Sequence, residues 1–300
     1  MRAPDRVIVR LFGGLGNQLF QYAAGRAASI PSGRELVLDP WHLATLNERS
    51  YALAPFRVAA RLANPRDIPR CLRPEDGRRP SRLVRSLRRR LGSPGITVCR
   101  ESASCQSPEL LPAPGTMYLV GYWQSEKYFV DQEDIIRGDL KLRKPLTERN
   151  AAAAEELGRL QSVALHVRRG DYVRNPEANR YHGVCGIDYY ERAIAFLEDT
   201  YSDLRYFVFT DDPEWVHAEM HLPIPFTVCD WNGTHEAHLD LNLMSACRFH
   251  VIANSTFSWW GAWLGSRPGK DVIAPHRWFA GADPARHPTD DLIPSSWRVM

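Results

Sequence analysis

His166, Arg168, Arg169 and Asp171 fall within six residues of one another, in the run Val163-Ala164-Leu165-His166-Val167-Arg168-Arg169-Gly170-Asp171-Tyr172. Val163-Ala164-Leu165 is a short apolar run of the kind that forms a buried strand. The cations therefore sit where a strand stops, and Gly170 permits a sharp turn among them. In open α/β sheets, ligands bind outside the carboxyl ends of strands. Guanidinium suits phosphate because its donors form a planar fork. Two readings fit these residue types: an anion site, or a structural Arg–Asp pair of the sort that is common at strand ends. Arg169-Gly170-Asp171 also spells a cell-adhesion tripeptide, a coincidence given that it abuts a buried strand and not an exposed loop tip.

Two further stretches have the same strand-to-helix character. Val7-Ile8-Val9-Arg10-Leu11-Phe12 reads as a strand, Gly13-Gly14-Leu15-Gly16-Asn17-Gln18 as a turn, and about Gln18 to Ser29 as an Ala-rich helix. Such a turn brings bare backbone N–H groups and a helix N-terminus to one point, which suits anions; a tight connection is the other reading. It is not a dinucleotide fingerprint, because position 19 is Leu where a third Gly is required. Nor is it a P-loop, since no Gly-Lys-Ser/Thr follows. Asn17 and Gln18 add neutral donors and acceptors at that tip. Near the other end, His250-Val251-Ile252-Ala253 is a strand, and Asn254-Ser255-Thr256-Phe257-Ser258 lies between it and an apolar helix carrying Trp259, Trp260 and Trp263. Four small polar residues there make either a second anion cradle or a helix cap. Asp211-Asp212-Pro213, after the strand Tyr206–Thr210, fits a metal or ribose contact or an N-cap equally.

The surrounding chain has to position these groups. At 300 residues, with 44% hydrophobic and 24% charged residues, it has room for one large or two ordinary domains. Strand and helix patterns alternate. Glu35–Asp39 reads as a second strand, and Met117–Gln124 as a strand ending in aromatics. Glu148–Leu160, Tyr189–Tyr201 and His238–Cys247 read as helices, and Asp271–Pro275 as a last strand before an irregular tail from about Trp278. Arg143–Arg149 reads as a linker. Tyr122, Trp123, Tyr128 and Phe129 form a dense aromatic patch; core packing explains most such patches, and sugar-binding clefts use them too. From about 47 to 107 the pattern degrades. Residues 77–100 contain no acid, and seven arginines between 78 and 90 surround a leucine face. That basic segment fits a solvated surface helix, or contact with an anionic membrane surface or a lipid-linked substrate.

The net charge of +3 is too small to argue for nucleic acid, and the basic segment lacks the aromatics that would stack on bases. Of 38 Lys and Arg only four are Lys, a skew that fits a G+C-rich genome. Six cysteines without a Cys-x-x-Cys spacing suggest reduced thiols. His217 and His221 have the i, i+4 spacing of a helical metal site but no matching third ligand. Residues 1–10 carry charges inside their apolar run and no signal-peptide core, and no stretch reaches the roughly 18 apolar residues of a membrane span. The expectation is a cytoplasmic protein, with the basic segment as its one candidate for peripheral contact with the inner membrane face. In that setting the sequons Asn232-Gly233-Thr234 and Asn254-Ser255-Thr256 carry no meaning.

Taken together, Phe12–Ala23, His166–Tyr172 and Asn254–Leu264 resemble the α-1,2-fucosyltransferases, glycosyltransferase family 11, in their bacterial form. The resemblance implies an α/β fold of GT-B type, two Rossmann-like domains facing a central cleft. Residues 1–147 would be the acceptor-side domain, with a variable insert at about 47–107, and 148–300 the GDP-fucose domain. It implies inverting transfer of fucose from GDP-fucose to a galactose 2-hydroxyl of an oligosaccharide or surface polysaccharide, free or lipid-linked. No cofactor or metal is implied. By likeness, Arg168 grips the β-phosphate beside Arg169, and His166 with one of Asp211 and Asp212 meets guanine or ribose. Asn254, Ser255, Thr256, Phe257 and Ser258 ring the phosphates, Gly14, Gly16, Asn17 and Gln18 help to hold the donor, and Asn17 lies beside the reacting centre as a catalytic candidate. Asp171, His166 and Asp39 are the candidates for a base. A transferase for another GDP-sugar and a non-catalytic nucleotide- or glycan-binding module remain the alternatives.

Overall fold

The computed structural model describes residues 5–43, 49–68, 95–101, 115–281 and 291–300. The basic segment 78–90, Cys71 and Cys105 lie outside them. Two compact units divide the chain, Met1–Arg143 and Lys144–Met300. Among the described residues no helix is long and apolar enough to cross a membrane.

The first unit is a parallel sheet of β1 (Arg6–Arg10), β2 (Glu35–Asp39), β3 (Arg61–Leu62), β4 (Ile96–Arg100) and β5 (Thr116–Val120), ordered β3-β2-β1-β5-β4. Val7, Ile8 and Val9 are all buried, as a central parallel strand covered on both faces must be. Helix α1 (Leu15–Ser29) begins three residues earlier than its composition suggests, because Gly14 already serves as the N-cap. Its Tyr22 hydroxyl and Arg26 both bond Asp139 Oδ2, at 2.7 and 2.9 Å, and so dock α2 (Glu133–Asp139) on α1. At the amino end of the sheet, Arg6 and Arg61 bridge Glu35 and Asp67 and tie the short strand β3 down. Neither β3 nor β4 stands out in the sequence, since β3 has two residues and β4 is mostly exposed.

The second unit is a six-stranded parallel sheet, ordered β11-β10-β9-β6-β7-β8. Its strands are β6 (Gln161–Val167), β7 (Leu204–Thr210), β8 (Phe226–Cys229), β9 (Phe249–Val251), β10 (Asp271–Ala274) and β11 (Arg298–Val299). The last of these lies in the tail expected to be irregular: it is only two residues long, and pairing with β10 makes it a strand. Helix α3 (Glu148–Arg159) precedes β6. Then come α4 (Gly170–Arg174), α5 (Pro176–His182), α6 (Ile187–Thr200), α7 (Pro213–Glu219), α8 (Ala237–Ala246) and α9 (Thr256–Leu264). Val163, Leu165 and Val167 pack against Tyr189, Ala193, Ile194 and Leu197 of α6 on one face. Ala164 and Phe209 pack with Leu157, Leu243 and Met244 of α3 and α8 on the other. The four described cysteines are free thiols.

Both sheets reverse direction at one point. In the second unit the chain runs outward from β6 through β7 to β8, then returns to lay β9 on the other side of β6. In the first it runs β1, β2, β3 and returns to place β5 beside β1. A crevice opens at the carboxyl ends of the two strands flanking such a switch.

Candidate active site

At the β6–β9 switch the cation cluster is built by one carboxylate. Asp211, just past β7, bonds Arg168 Nη1 through Oδ2 at 2.9 Å and accepts the backbone N–H of Arg169 through Oδ1 at 2.9 Å. Both partners of the ion pair are about three-quarters buried, at 24% and 26% side-chain exposure. The guanidinium is thus held in one orientation by a partly desolvated pair, not left on a flexible stem. Gly170 is not a turn residue; it starts α4. Its missing side chain is needed because a Cβ there would collide with the Asp211 carboxylate. Arg169 turns the other way, 3.7 Å above the Trp215 ring and 3.5 Å from Asp212. Asp212 is also the N-cap of α7, accepting from the Trp215 N–H. Asp211 and Asp212 therefore have different jobs, anchor and cap.

His166, the penultimate residue of β6, is 3% exposed and its ring lies 5.5 Å from that of Phe257. Burial, with the Arg168 charge a second cause, lowers its pKa to about 3. It is a neutral imidazole at any physiological pH, and its buried Nδ1 has no hydrogen-bond partner among the described residues. Tyr190 donates to the His166 carbonyl at 3.0 Å and fixes the strand end from below.

Across the switch, Ser255 caps α9 by accepting the Phe257 N–H at 3.3 Å. Helix N-termini present N–H groups and a positive dipole end, and this first turn lies beside the β6 tip, where Phe257 meets His166. Ser258 is buried and donates to the carbonyls of Ala253 and Ser255. Asn254 is a brace: its Nδ2 donates to the carbonyls of His182, Gly183 and Trp278, and its Oδ1 accepts from the Cys185 thiol. Tyr172 donates to the Asn254 carbonyl and stacks on His182 at 4.4 Å, so α4 and α5 are wired to the β9 tip. Thr256 and Phe257 are half-buried on the first turn of α9. Asp171 is the second residue of α4.

Gly14, Gly16, Asn17 and Gln18 lie in the first unit, at the tip of β1. Gly13 takes φ +79°, which an L side chain would resist. Gly14 has ordinary φ and open space around it, so the fold itself makes no demand for glycine there. Gly16 is buried in the first turn of α1. Gln18 is spent internally, donating to Gly13 and Ser50 carbonyls and accepting the Ala52 N–H. Gln21 pairs with both backbone groups of Phe12. Asn17 Oδ1 accepts from Gln124 Nε2 at 2.9 Å, which joins the β1 and β5 tips. Asp39 is fully buried, with its oxygens held by the Tyr118 hydroxyl and the Trp41 N–H.

Three features here were not read from the sequence. Glu101 accepts the backbone N–H groups of Tyr122 and Trp123, at 2.6 and 3.0 Å, which ends β5 at Val120 rather than at Gln124. Trp123 takes φ +57°, a left-handed conformation that costs a bulky residue roughly 1–2 kcal/mol. Two hydrogen bonds to a carboxylate, each worth about 1.5–3 kcal/mol, offset that. The one signal was that Glu101 is the first acid after the acid-free run. The third is Asp240, on α8, which burial pushes up to about 6 while Asn232 holds it at 2.7 Å and is bonded in turn to Asn150. Among the described residues no group of three or more His, Cys, Asp or Glu could hold a metal ion.

The sequence model of glycosyl transferase family 11 matches residues 104–286. An Escherichia coli protein named alpha-1,2-colitosyltransferase is 34% identical over 285 residues, 91% of this chain and 92% of that one. The Escherichia coli O-antigen biosynthesis glycosyltransferase WbnK is 36% identical over 167 residues, 55% of this chain and 52% of its own. Among solved structures, the NodZ α-1,6-fucosyltransferase of Bradyrhizobium, soaked with GDP-fucose, superposes with a TM-score of 0.53 at 19% identity, over 87% of this chain and 92% of that one. At that identity the likeness bears on the fold: parallel α/β, of GT-B type.

Proposed function

Because this chain belongs to glycosyl transferase family 11, we propose that it is an inverting α-1,2-fucosyltransferase acting from GDP-fucose on a galactose 2-hydroxyl. The galactose ends an oligosaccharide or a surface polysaccharide. The observation that carries this reading is Arg168, held by Asp211 at the switch point beside the α9 N-terminus.

The chemistry follows from charge. The acceptor oxygen bonds to fucose C1 as the bond from C1 to the β-phosphate oxygen breaks, and its electron pair leaves with GDP. Fixed cations and N–H dipoles at that point stabilise the developing charge without reorganising. Arg168 is assigned that role, with the first turn of α9 as its partner. The hydroxyl proton needs an acceptor. His166 is too weakly basic, at about 3, and Asp39 is engaged on both oxygens. Asp171 is therefore assigned as base, from its place in the first turn after the β6 tip.

Product formation on lactose-type acceptors tests this. Arg168→Ala is expected to lose ~10²–10³ in rate, and undiminished activity in that variant would remove the mechanism. The same assay in excess chelator should proceed unchanged. A second reading has its own support: the relative matched over 91% of this chain is named a colitosyltransferase, and colitose is fucose without its 3-hydroxyl. Turnover of GDP-fucose against GDP-colitose and GDP-mannose separates these. A site that hydrogen-bonds the 3-hydroxyl would reject the deoxy sugar by ~10⁴ or more.

A further inference from the structure

We propose that the carboxyl edge of the first unit's sheet is a stacking platform for a neutral sugar, formed by Tyr122 at the tip of β5 and Trp41 at the tip of β2. The inference rests on the transferase reading and names the surface that would take its glycan acceptor.

Tyr122 is 43% exposed and Trp41 45% exposed, whereas most aromatics of this unit are core. Neither ring is loose. Phe12, at the β1 tip between them, meets Tyr122 edge-on at 4.6 Å. Trp41 is fixed by its indole N–H on the Ala63 carbonyl and its backbone N–H on Asp39. Tyr122 is fixed by the Glu101 carboxylate on its own N–H and that of the left-handed Trp123. The left-handed residue, Trp123, is buried, and the carboxylate that holds it also fixes the exposed Tyr122 beside it; local strain of this kind gathers at binding sites. The strands carrying the two rings lie two strand spacings apart, roughly 10 Å, with the Phe12 ring at the tip of the strand between them and the Trp41 indole leaning to the β3 side. The Asn17–Gln124 amide pair joins the β1 and β5 tips two residues on from Tyr122, and amides match sugar hydroxyls. The carboxylates nearby, Glu101 and Asp39, are turned inward onto N–H and phenol donors. This composition suits an uncharged pyranose ring with an apolar face.

The test measures binding and turnover separately. Lactose and two β-galactosyl-N-acetylhexosamines are titrated by saturation-transfer NMR, without donor, against wild type, Tyr122→Ala, Trp41→Ala and the conservative Tyr122→Phe. GDP-fucose affinity and the melting temperature are measured alongside. Each alanine variant is expected to weaken the galactoside at least about tenfold, and Tyr122→Phe to restore it, with GDP-fucose affinity unchanged. Unweakened binding in the alanine variants would overturn the platform, as would an equal loss of GDP-fucose affinity. Fucosyl transfer by wild type with an unchanged acceptor KM in Tyr122→Ala would sink the platform and leave the transferase reading standing. Ring-dependent galactoside binding with no transfer from any GDP-sugar would do the reverse.

Discussion

At the tip of β6 a guanidinium, Arg168, is held in one orientation by the Asp211 carboxylate at the tip of β7. Just past β4 another, Glu101, holds two backbone amides and presents a neutral ring. The two sheets differ in strand order, yet both are parallel and each has one switch point where a crevice opens. Their chemistry differs because the side chains at the tips differ. The second unit gathers Arg168, Arg169 and a capped helix N-terminus. The first gathers Phe12, Tyr122, Asn17 and Gln124. A parallel sheet therefore supplies the location of a site, and the tip residues decide whether it suits a charged leaving group or an uncharged ring.

The comparison breaks most sharply at Arg168. Arg168→Ala should lower kcat by ~10²–10³ with little change in acceptor KM, where Tyr122→Ala should raise acceptor KM and spare kcat. A parallel loss of both parameters in both variants would erase the distinction. Next, Asp211→Asn removes the anchor, and Gly170→Ala forces the carboxylate aside. Misorientation of one catalytic group is worth up to about 10²-fold, so both should fall roughly 10–100-fold in kcat. If Gly170→Ala were silent, Asp211 would not be the positioning residue. In the first unit, Glu101→Gln keeps a shape that can still accept and should cost only a few-fold in acceptor KM, since a neutral acceptor bond is about half as strong as a charged one.

Stability should depend on pH through the second unit. Burial lowers the pKa of His166 and of His250 to about 3, below the 6.5 of an unperturbed imidazole. The unfolded chain takes up protons first, so stability present near neutral pH is lost as pH falls from about 6.5 towards 3. Asp240, raised to about 6, acts in the opposite sense: its ionisation as pH rises from about 4 to 6 costs stability. Melting temperature should therefore fall on acidification, with a shallower fall in His250→Gln and a steeper fall in Asp240→Asn, each by a few degrees. The smallest effect expected is in Gly14→Ser. Open space and ordinary φ let a side chain in, and a new N-cap adds only a few tenths of a kcal/mol. Lost transfer with an unchanged melting temperature would show that a ligand, and not the fold, requires that glycine.

The strands β1, β6 and β7 and the helices α1, α3, α6 and α8 were legible because each is a continuous or periodic apolar run. The edges were not. β3 and β11 have two residues each, too few for a period, and exist through pairing alone. The same limit applied to the site. The cluster around Arg168 could be read because its members are adjacent in the chain. Asp211, Glu101 and the Trp123 turn act through partners 21 to 43 residues away, and no local pattern encodes that.

By itself the sequence determined the family, the alternating α/β order and the residue types at each strand tip, because motifs and periodicity are local properties. Only the tertiary structure decided which of two adjacent arginines is oriented by Asp211 and which stacks on Trp215, why position 170 must lack a side chain, and which aromatic stays exposed. Those outcomes depend on distances between segments far apart in the chain, and folding alone brings such segments within hydrogen-bonding reach.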